Sequence, residues 1–397
     1  MISSGRRLSY RELSRLSARL GHRLRALGAE VNHPIAIVLE KGWEQAVAVF
    51  GVLRSGAPYL PIDAKLPEER LRYLLESSKV RVVVTRSSLL ERLSLPAGVE
   101  AVCVDRLELE DLPETPLERR QGPDDLAVII YTSGSTGTPN GAMIAHRGLV
   151  NAIDETRRAF AVSAADRTLA LTALHHDMSI FDLFGVLSVG GSVVIPEPDA
   201  LRAPGRWAEL IRSEGVTIWN SVPAMMDMLV THLEAREHEQ SGGPLRLAFL
   251  GGDWIPISLP DRIRSLFGEI ELVSVGGPTE TTLWNIWYRI EKVDPGWKSI
   301  PYGRPIANTR YYVMDSALSE RPVWVPGELC CAGVGVAKGY YRNPARTAEK
   351  FVEHPITGER LYRTGDRGRL LPDGNIEFLA ASICRSRSPA TASSLPR

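Results

Sequence analysis

Between Ala127 and His146 the chain reads AVIIYTSGSTGTPNGAMIAH. Thr132, Ser133, Gly134, Ser135, Thr136, Gly137 and Thr138 join hydroxyl donors to glycines. Such a loop can turn its backbone amides outward around an anion, because nothing bulky blocks the approach. The apolar run Ala127 to Tyr131 ahead of it reads as a buried strand. A flexible Gly/Ser linker fits poorly there, since linkers do not usually sit between apolar runs. A Walker-type loop needs Gly-Lys-Ser/Thr at its end, and here Gly141 follows Pro139-Asn140 without that lysine.

Two acidic residues stand in turn-like settings with chemistry to offer. Glu280, in Gly277-Pro278-Thr279-Glu280, has the hard carboxylate oxygen that a magnesium ion shares with phosphate oxygens. Its bland reading is a glutamate near the start of a helix. Asp366, in Tyr362-Arg363-Thr364-Gly365-Asp366, can accept two donors with one carboxylate, or can simply close a turn. His175-His176-Asp177 invites a metal or relay reading, but adjacent side chains diverge and no third ligand has proper spacing. The glycines between Gly327 and Tyr341 form a dinucleotide-like pattern by chance, with no helix pattern after them. Cys103, Cys330, Cys331 and Cys384 lack metal spacing and read as thiols of a reducing cytoplasm, Cys330 and Cys331 being buried in a strand-like run.

The Thr132–Thr138 loop, the Gly-x-Thr-Glu run ending at Glu280 and the Thr-Gly-Asp run ending at Asp366 together closely resemble adenylate-forming enzymes, in particular the amino-acid adenylation domains of nonribosomal peptide synthetases. The resemblance implies ATP-dependent activation of an amino acid as its adenylate, with ATP and Mg2+ as cofactors. Thr132, Thr279 and Glu280 would then be catalytic, with Glu280 on the magnesium and Thr279 on the α-phosphate. Gly252 and Asp253 would line the adenine, Gly276 and Gly277 would also bind the nucleotide, and Asp366 would take the ribose hydroxyls. The family often has a tyrosine where Gly276 stands, and a lysine where Asn140 stands. Asp177 would pair with the substrate α-ammonium, a charge pair that selects amino acids over plain carboxylic acids. Asp182 reads instead as a charge at a helix N-terminus. Carried over position by position, the pocket would be Asp177, Met178, Phe181, Asn220, Phe249, Gly251, Val275, Leu283 and Trp284. That set describes a small, mostly apolar pocket with Trp284 filling its floor. Asp253-Trp254-Ile255-Pro256 and Trp297-Lys298-Ser299-Ile300-Pro301-Tyr302-Gly303 resemble the cysteine-type branch. Cysteine is the first expected substrate, then alanine, glycine or serine.

These residues need a scaffold, and strands alternating with helices predict one: an α/β fold with a parallel sheet. Helices are expected over Leu8–Leu27, Trp43–Arg54, Pro67–Ser77, Arg147–Phe160, Ile180–Leu187, Arg206–Glu214 and Pro223–Leu233. Strands are expected over Pro34–Leu39, Ala57–Asp63, Val80–Thr85, Thr168–Leu174, Val193–Pro196, Val216–Trp219, Leu245–Leu250 and Ile270–Val275. Several end in Gly- or polar-rich tips, where open α/β sheets bind ligands. Glu234 to Gly243 reads as a polar surface loop. Beyond Tyr288 prolines, glycines and short alternating runs predict a β-rich subdomain, 289–379, after α/β subdomains covering about 1–288. Ala380 to Arg397 reads as a disordered tail, where the family would present a hinge and a lid domain; neither is expected here.

The 397 residues carry 47 Lys+Arg against 47 Asp+Glu, a balance that favours neither nucleic acid nor membrane as partner. No apolar run reaches membrane-spanning length, and a signal-peptide core is missing at the N-terminus. The partners implied by the resemblance are an amino acid, a carrier domain and other synthetase modules acting in trans, and a small MbtH-like activator. Two readings compete with an adenylating ligase. One is a non-catalytic remnant that binds ATP and an amino acid. The other is an acyl- or aryl-CoA ligase, against which Asp177 argues, since an acyl substrate has no ammonium to pair.

Overall fold

The computed structural model describes residues 1–3, 5–107, 111–132, 139–236, 243–297 and 299–380. Three sheets with flanking helices make up this part of the chain. The six-stranded sheet is built from Glu100–Cys103, Val82–Thr85, Ile35–Val38, Tyr59–Ile62, Leu126–Thr132 and Asn140–Ala145, in that spatial order. All its pairings are parallel except the last, where the chain returns after the glycine-rich segment as an antiparallel neighbour. Its parallel strands Ile35–Val38, Tyr59–Ile62 and Val82–Thr85 are buried at every position. That is why they read as unbroken apolar runs rather than as alternations.

The nine-stranded sheet has a parallel centre: Glu271–Gly276, Leu247–Gly251, Ile218–Ser221, Arg167–Leu169, Ser192–Ile195 and Ile2–Ser3. Antiparallel strands border it, Arg6–Arg7 on one side and Ile286–Arg289 with Arg304–Pro305 on the other. The five-stranded sheet is antiparallel throughout, with the long strand Arg360–Leu370 pairing with Gly327–Gly333, Phe351–Glu353 and Ile376–Ala380. An α/β architecture of parallel-rich sheets with flanking helices and a β-rich part is therefore present.

Local signals place most helices. In Tyr10–Ala26, Ser9 and Glu12 form a reciprocal capping box, and Leu16, Leu20 and Leu24 face inward. Helix Trp43–Ser55 lies close against it: a Cβ on Gly51 would sit 2.5 Å from a Leu20 methyl. Several elements depart from the sequence reading. The strand expected over Thr168–Leu174 ends at Leu169, and residues 170–178 run irregularly through turns and bends to the next helix. Ile180–Leu187 is helical but widens to π geometry over Phe181–Gly185. Helices Leu259–Phe267 and Pro344–Lys350 and the strands Asn140–Ala145, Glu100–Cys103 and Ile286–Arg289 were not anticipated. Residues 237–242 of the polar loop, and 381–397 of the tail with Cys384, lie outside the described residues. Cys103, Cys330 and Cys331 are buried thiols. Among the described residues no helix is long and apolar enough to cross a membrane.

Candidate active site

Three neighbouring parallel strands deliver the site at their carboxyl ends, the edge where open α/β sheets hold ligands. Asn220 lies in register with Phe249, and Gly251 with Val275. Just past these strands the chain turns at Gly252-Asp253 and at Gly276-Gly277. Gly277 has φ +132°, and a Cβ there would lie 2.6 Å from Asn285 Oδ1, so only glycine fits. Gly252, Asp253, Gly276 and Gly277 line a cleft with about 630 Å³ of empty space, including the part open to solvent. Asp366 lines the same cleft from the five-stranded sheet. Its backbone N–H donates to Thr364 Oγ1 at 2.9 Å, and the Thr364 hydroxyl donates to the Leu329 carbonyl at 2.8 Å, which fixes this part of the strand. The adenine-side and ribose-side candidates, 90 residues apart in sequence, thus share one cleft.

Glu280 follows in a single 3-10 turn, Thr279–Thr281, and is only 5% exposed. The Tyr340 hydroxyl donates to Glu280 Oε1 at 2.8 Å and lies 3.2 Å from the Tyr362 hydroxyl. The backbone closes the same contact, Ala337 N–H donating to the Glu280 carbonyl at 2.8 Å. Beyond it Thr282 and Leu283 adopt φ of +71° and +58°. Two successive side-chain-bearing residues in the left-handed region cost about 1–3 kcal/mol each, and such strain clusters at functional sites. The Thr282 hydroxyl, donating to the Gly335 carbonyl at 2.6 Å, helps to hold that turn.

Asp177 meets this turn from the other side. The Thr279 hydroxyl hydrogen-bonds its carboxylate, and Glu280 places a second negative charge nearby. Part of the residue reaches solvent, yet the carboxyl itself is enclosed. Burial pushes its pKa up to about 6; hydrogen bonds from Thr279 and the Met178 backbone oppose the shift, and Glu280 adds to it. Two carboxylates that sense each other's charge favour a cation nearby.

Behind Asp177 the remaining pocket candidates pack together. Phe181, Phe249 and Trp284 are mutually in contact, with ring centroids 5.1 to 5.2 Å apart. The Trp284 indole N–H donates to Thr156 Oγ1 at 2.9 Å, which fixes it as a floor. Met178, Val275 and Leu283 are buried around the trio. Asn220 is fully buried, and its amide donates to the Met178 carbonyl at 3.0 Å and to Asp182 Oδ1 at 2.8 Å. Its donor capacity is therefore taken by the protein, leaving Oδ1 as the atom without a protein partner.

Asp182 stands in the first turn of its helix, as the sequence reading has it, but it is buried, at 1% exposure. Burial pushes Asp182 up and Lys41 down, while their mutual attraction works against both shifts. The Lys41 ammonium also donates to the Thr172 carbonyl, tying the six-stranded side of the molecule to the pocket floor. Sequence reasoning missed Lys41 and Tyr340. The only signal for Lys41 was a lone lysine just after a wholly apolar strand, and Tyr340 stood only in the glycine-bearing run from Gly327 to Tyr341, read as a chance pattern.

Thr132 ends its strand opposite Asn140, and its hydroxyl donates to the Asn140 carbonyl at 3.3 Å. Ser133, Gly134, Ser135, Thr136, Gly137 and Thr138 lie outside the described residues. Asn140 is a buried strand residue whose Oδ1 accepts from the Asn343 amide at 3.0 Å. A lysine there would start from a paired strand position. His175 and His176 pack ring to ring, and no group of three or more His, Cys, Asp or Glu suited to a metal occurs among the described residues.

Known proteins resemble this chain over most of its length. The model of the "AMP-binding enzyme" family matches residues 1–341. Pyochelin synthetase PchF of Pseudomonas aeruginosa is 41% identical over 94% of this chain, which spans 20% of that relative. The Anguibactin system regulator of Vibrio anguillarum is 37% identical over 94% of the chain, which spans 35% of it. Among solved structures, the nonribosomal peptide synthetase FmoA3 in its α-methyl-L-serine-AMP bound form superposes with a TM-score of 0.92. That match has 48% identity and covers 96% of this chain and 42% of the other. The chain thus spans about a fifth to two fifths of these three relatives. With residues 1–341 matched to its model, this chain belongs to the AMP-binding enzyme family, and within it is similar to the AMP-binding domain of nonribosomal peptide synthetases.

Proposed function

We propose that the chain activates a small neutral amino acid with ATP, forming the aminoacyl-AMP and pyrophosphate for nonribosomal peptide synthesis. The observation that carries this reading is the enclosed Asp177 carboxylate, set against Thr279 and Glu280 and backed by a closed aromatic floor. In the reaction a substrate carboxylate oxygen attacks the α-phosphorus, the Pα–O bond to the β-phosphate breaks, and the electron pair leaves with pyrophosphate. Asp177 holds the α-ammonium, which aims the carboxylate. Thr132, the Ser133–Thr138 segment and Thr279 cradle phosphates, while Gly252, Asp253, Gly276 and Gly277 border the base and Asp366 takes the ribose hydroxyls. Magnesium would bind Glu280 and phosphate oxygens and would neutralise charge on the departing pyrophosphate; one carboxylate plus phosphates is a usual magnesium shell. Catalysis of this kind rests on positioning and charge stabilisation.

A floor made of Phe181, Phe249 and Trp284 would suit a small side chain: cysteine first, then alanine, glycine or serine. We read 1–288 and 289–379 as the two parts of one adenylation unit, with a carrier domain and further synthetase modules as partners and a small MbtH-like protein as activator. Pyrophosphate exchange over a panel of amino acids, with an aryl and a fatty acid alongside, tests the reading. Exchange stimulated by one or a few small amino acids is expected. Stimulation by the aryl or fatty acid alone would identify a CoA-ligase type of activity and overturn it.

Tyr340 acts in this scheme as a positioning residue, because its hydroxyl fixes one oxygen of Glu280. A hydrogen bond to a charged group is worth about 1.5–3 kcal/mol. Tyr340→Phe is expected to raise the magnesium concentration needed for half-maximal ATP binding by about tenfold, while metal-free nucleotide binding stays within twofold. Equal weakening with and without magnesium would show that Tyr340 serves folding rather than Glu280.

A further inference from the structure

Gly276 carries no side chain, yet the space beside it is filled. A Cβ built there would lie 1.9 Å from Cε2 and 2.7 Å from Cδ2 of Tyr302, so the tyrosine ring lies directly against this glycine. Residue 276 can have a side chain or the ring can lie here, but not both. Tyr302 reaches this position from a separate segment, anchored by its backbone N–H donating to the Ile376 carbonyl at 2.9 Å. The next residue, Gly303, has φ +104°, and a Cβ there would meet the Trp287 carbonyl oxygen at 1.9 Å, which pins the segment to its neighbour strand.

The ring is fixed on its other sides as well. It packs edge-on to Tyr311, centroids 6.2 Å apart at 83°, and tilts against Phe378 at 5.7 Å. The Tyr302 and Tyr311 hydroxyls share a hydrogen bond, and the Tyr311 hydroxyl donates to Asn285 Oδ1 at 2.8 Å. Tyr302 is only half-buried and lines the cleft that Gly252, Gly276 and Asp366 also line. An aromatic face that is held rigidly loses little entropy when a flat base stacks on it, and offset stacking suits the ring quadrupole.

We propose that Tyr302 is the platform on which the purine base of the nucleotide stacks, with Gly276 kept side-chain-free so that the ring can lie there. The proposal rests on the nucleotide assignment of this cleft and adds the residue that recognises the base. Stacking of a base on an aromatic side chain is worth about 1–3 kcal/mol, roughly a 10- to 100-fold change in affinity.

The test is calorimetry with ATP and with inorganic tripolyphosphate, which has the phosphates but no base. Tyr302→Ala is expected to lose roughly 10- to 100-fold in ATP affinity with tripolyphosphate affinity unchanged, and Tyr302→Phe to recover most of that loss. Gly276→Ala, whose methyl must push the ring aside, is expected to weaken ATP alone, and to add nothing in the Tyr302→Ala background. This second route keeps the proposal testable should Tyr302→Ala fold poorly. If the wild-type chain binds ATP and both Tyr302→Ala and Gly276→Ala bind it as well, Tyr302 is not the platform, although the cleft remains a nucleotide site. If the wild-type chain binds no ATP, both the platform and the nucleotide reading fall.

Discussion

Replacing Asp177 with alanine is expected to remove amino-acid binding while leaving ATP binding nearly intact. The carboxylate is enclosed, so the α-ammonium that meets it gives up water for one partner. Removing that partner leaves a buried charge unpaired, typically at about 3–5 kcal/mol, or more than 100-fold in affinity. The cleft that would take the nucleotide is built from other residues, Gly276, Gly277 and Asp366 among them. Calorimetry with the preferred amino acid and separately with ATP checks both halves, and wild-type amino-acid affinity in the variant would remove Asp177 from the role. The raised pKa adds a pH signature. In the free protein Asp177 titrates at about 6, and only its ionised form attracts an ammonium. Amino-acid affinity should therefore fall about tenfold per unit below that pH, and stay flat above it until the substrate ammonium itself loses its proton. The stability of the free chain runs the opposite way. A carboxyl whose folded pKa lies above its unfolded value of about 4 holds its proton longer when folded, so this group's contribution is lost as pH rises from about 4 to 6.

Glu280→Gln is the second large effect expected. The amide keeps the shape and can still accept from Tyr340, but the charge that would hold magnesium is gone. Magnesium should then cease to strengthen ATP binding, and the adenylation rate should fall by about 10²–10³, the usual cost of losing one positioned electrostatic group. Undiminished magnesium dependence in the variant would place the metal elsewhere. The same variant reports on Asp177. Glu280 is one of the groups that raise the Asp177 pKa, so its neutralisation should lower that pKa. The pH at which amino-acid affinity fades should move down, and a fixed titration point would mean that the two carboxylates do not sense each other.

Much of the scaffold could be read from the sequence, because its signals are local. Ile35–Val38 and Val82–Thr85 are apolar at nearly every position since both faces of a parallel strand are covered. The helix at Tyr10 announces itself through its capping box and its leucine spacing. The candidate motifs were also local: each of Glu280, Asp366 and Asp177 stands in a short run whose residue types already suit its chemistry. Short elements were less legible. Arg167–Leu169 stops early because the irregular path over 170–178 depends on contacts with other elements, and periodicity cannot see those.

What only the tertiary structure decided is which side chains meet. Register between parallel strands puts Asn220 beside Phe249 and Gly251 beside Val275, and pairing between distant strands carries no mark in either sequence. Tyr340 on Glu280 joins residues 60 apart in the chain, and Asn220 on Asp182 joins residues 38 apart. Asp182 reads from the sequence as a charge at a helix N-terminus, and amino-acid type alone does not reveal that it is buried there. Its enclosure follows from where the π-widened helix packs, and it is made tolerable by the Asn220 amide and the Lys41 ammonium. Gly276 shows the limit most plainly. Its sequence says only that a side chain is missing, whereas the fold determines that the Tyr302 ring, brought from 26 residues away, occupies the space. Composition and spacing fix what each residue can do; packing fixes which atoms lie within the few ångströms where hydrogen bonds, charges and stacked rings act.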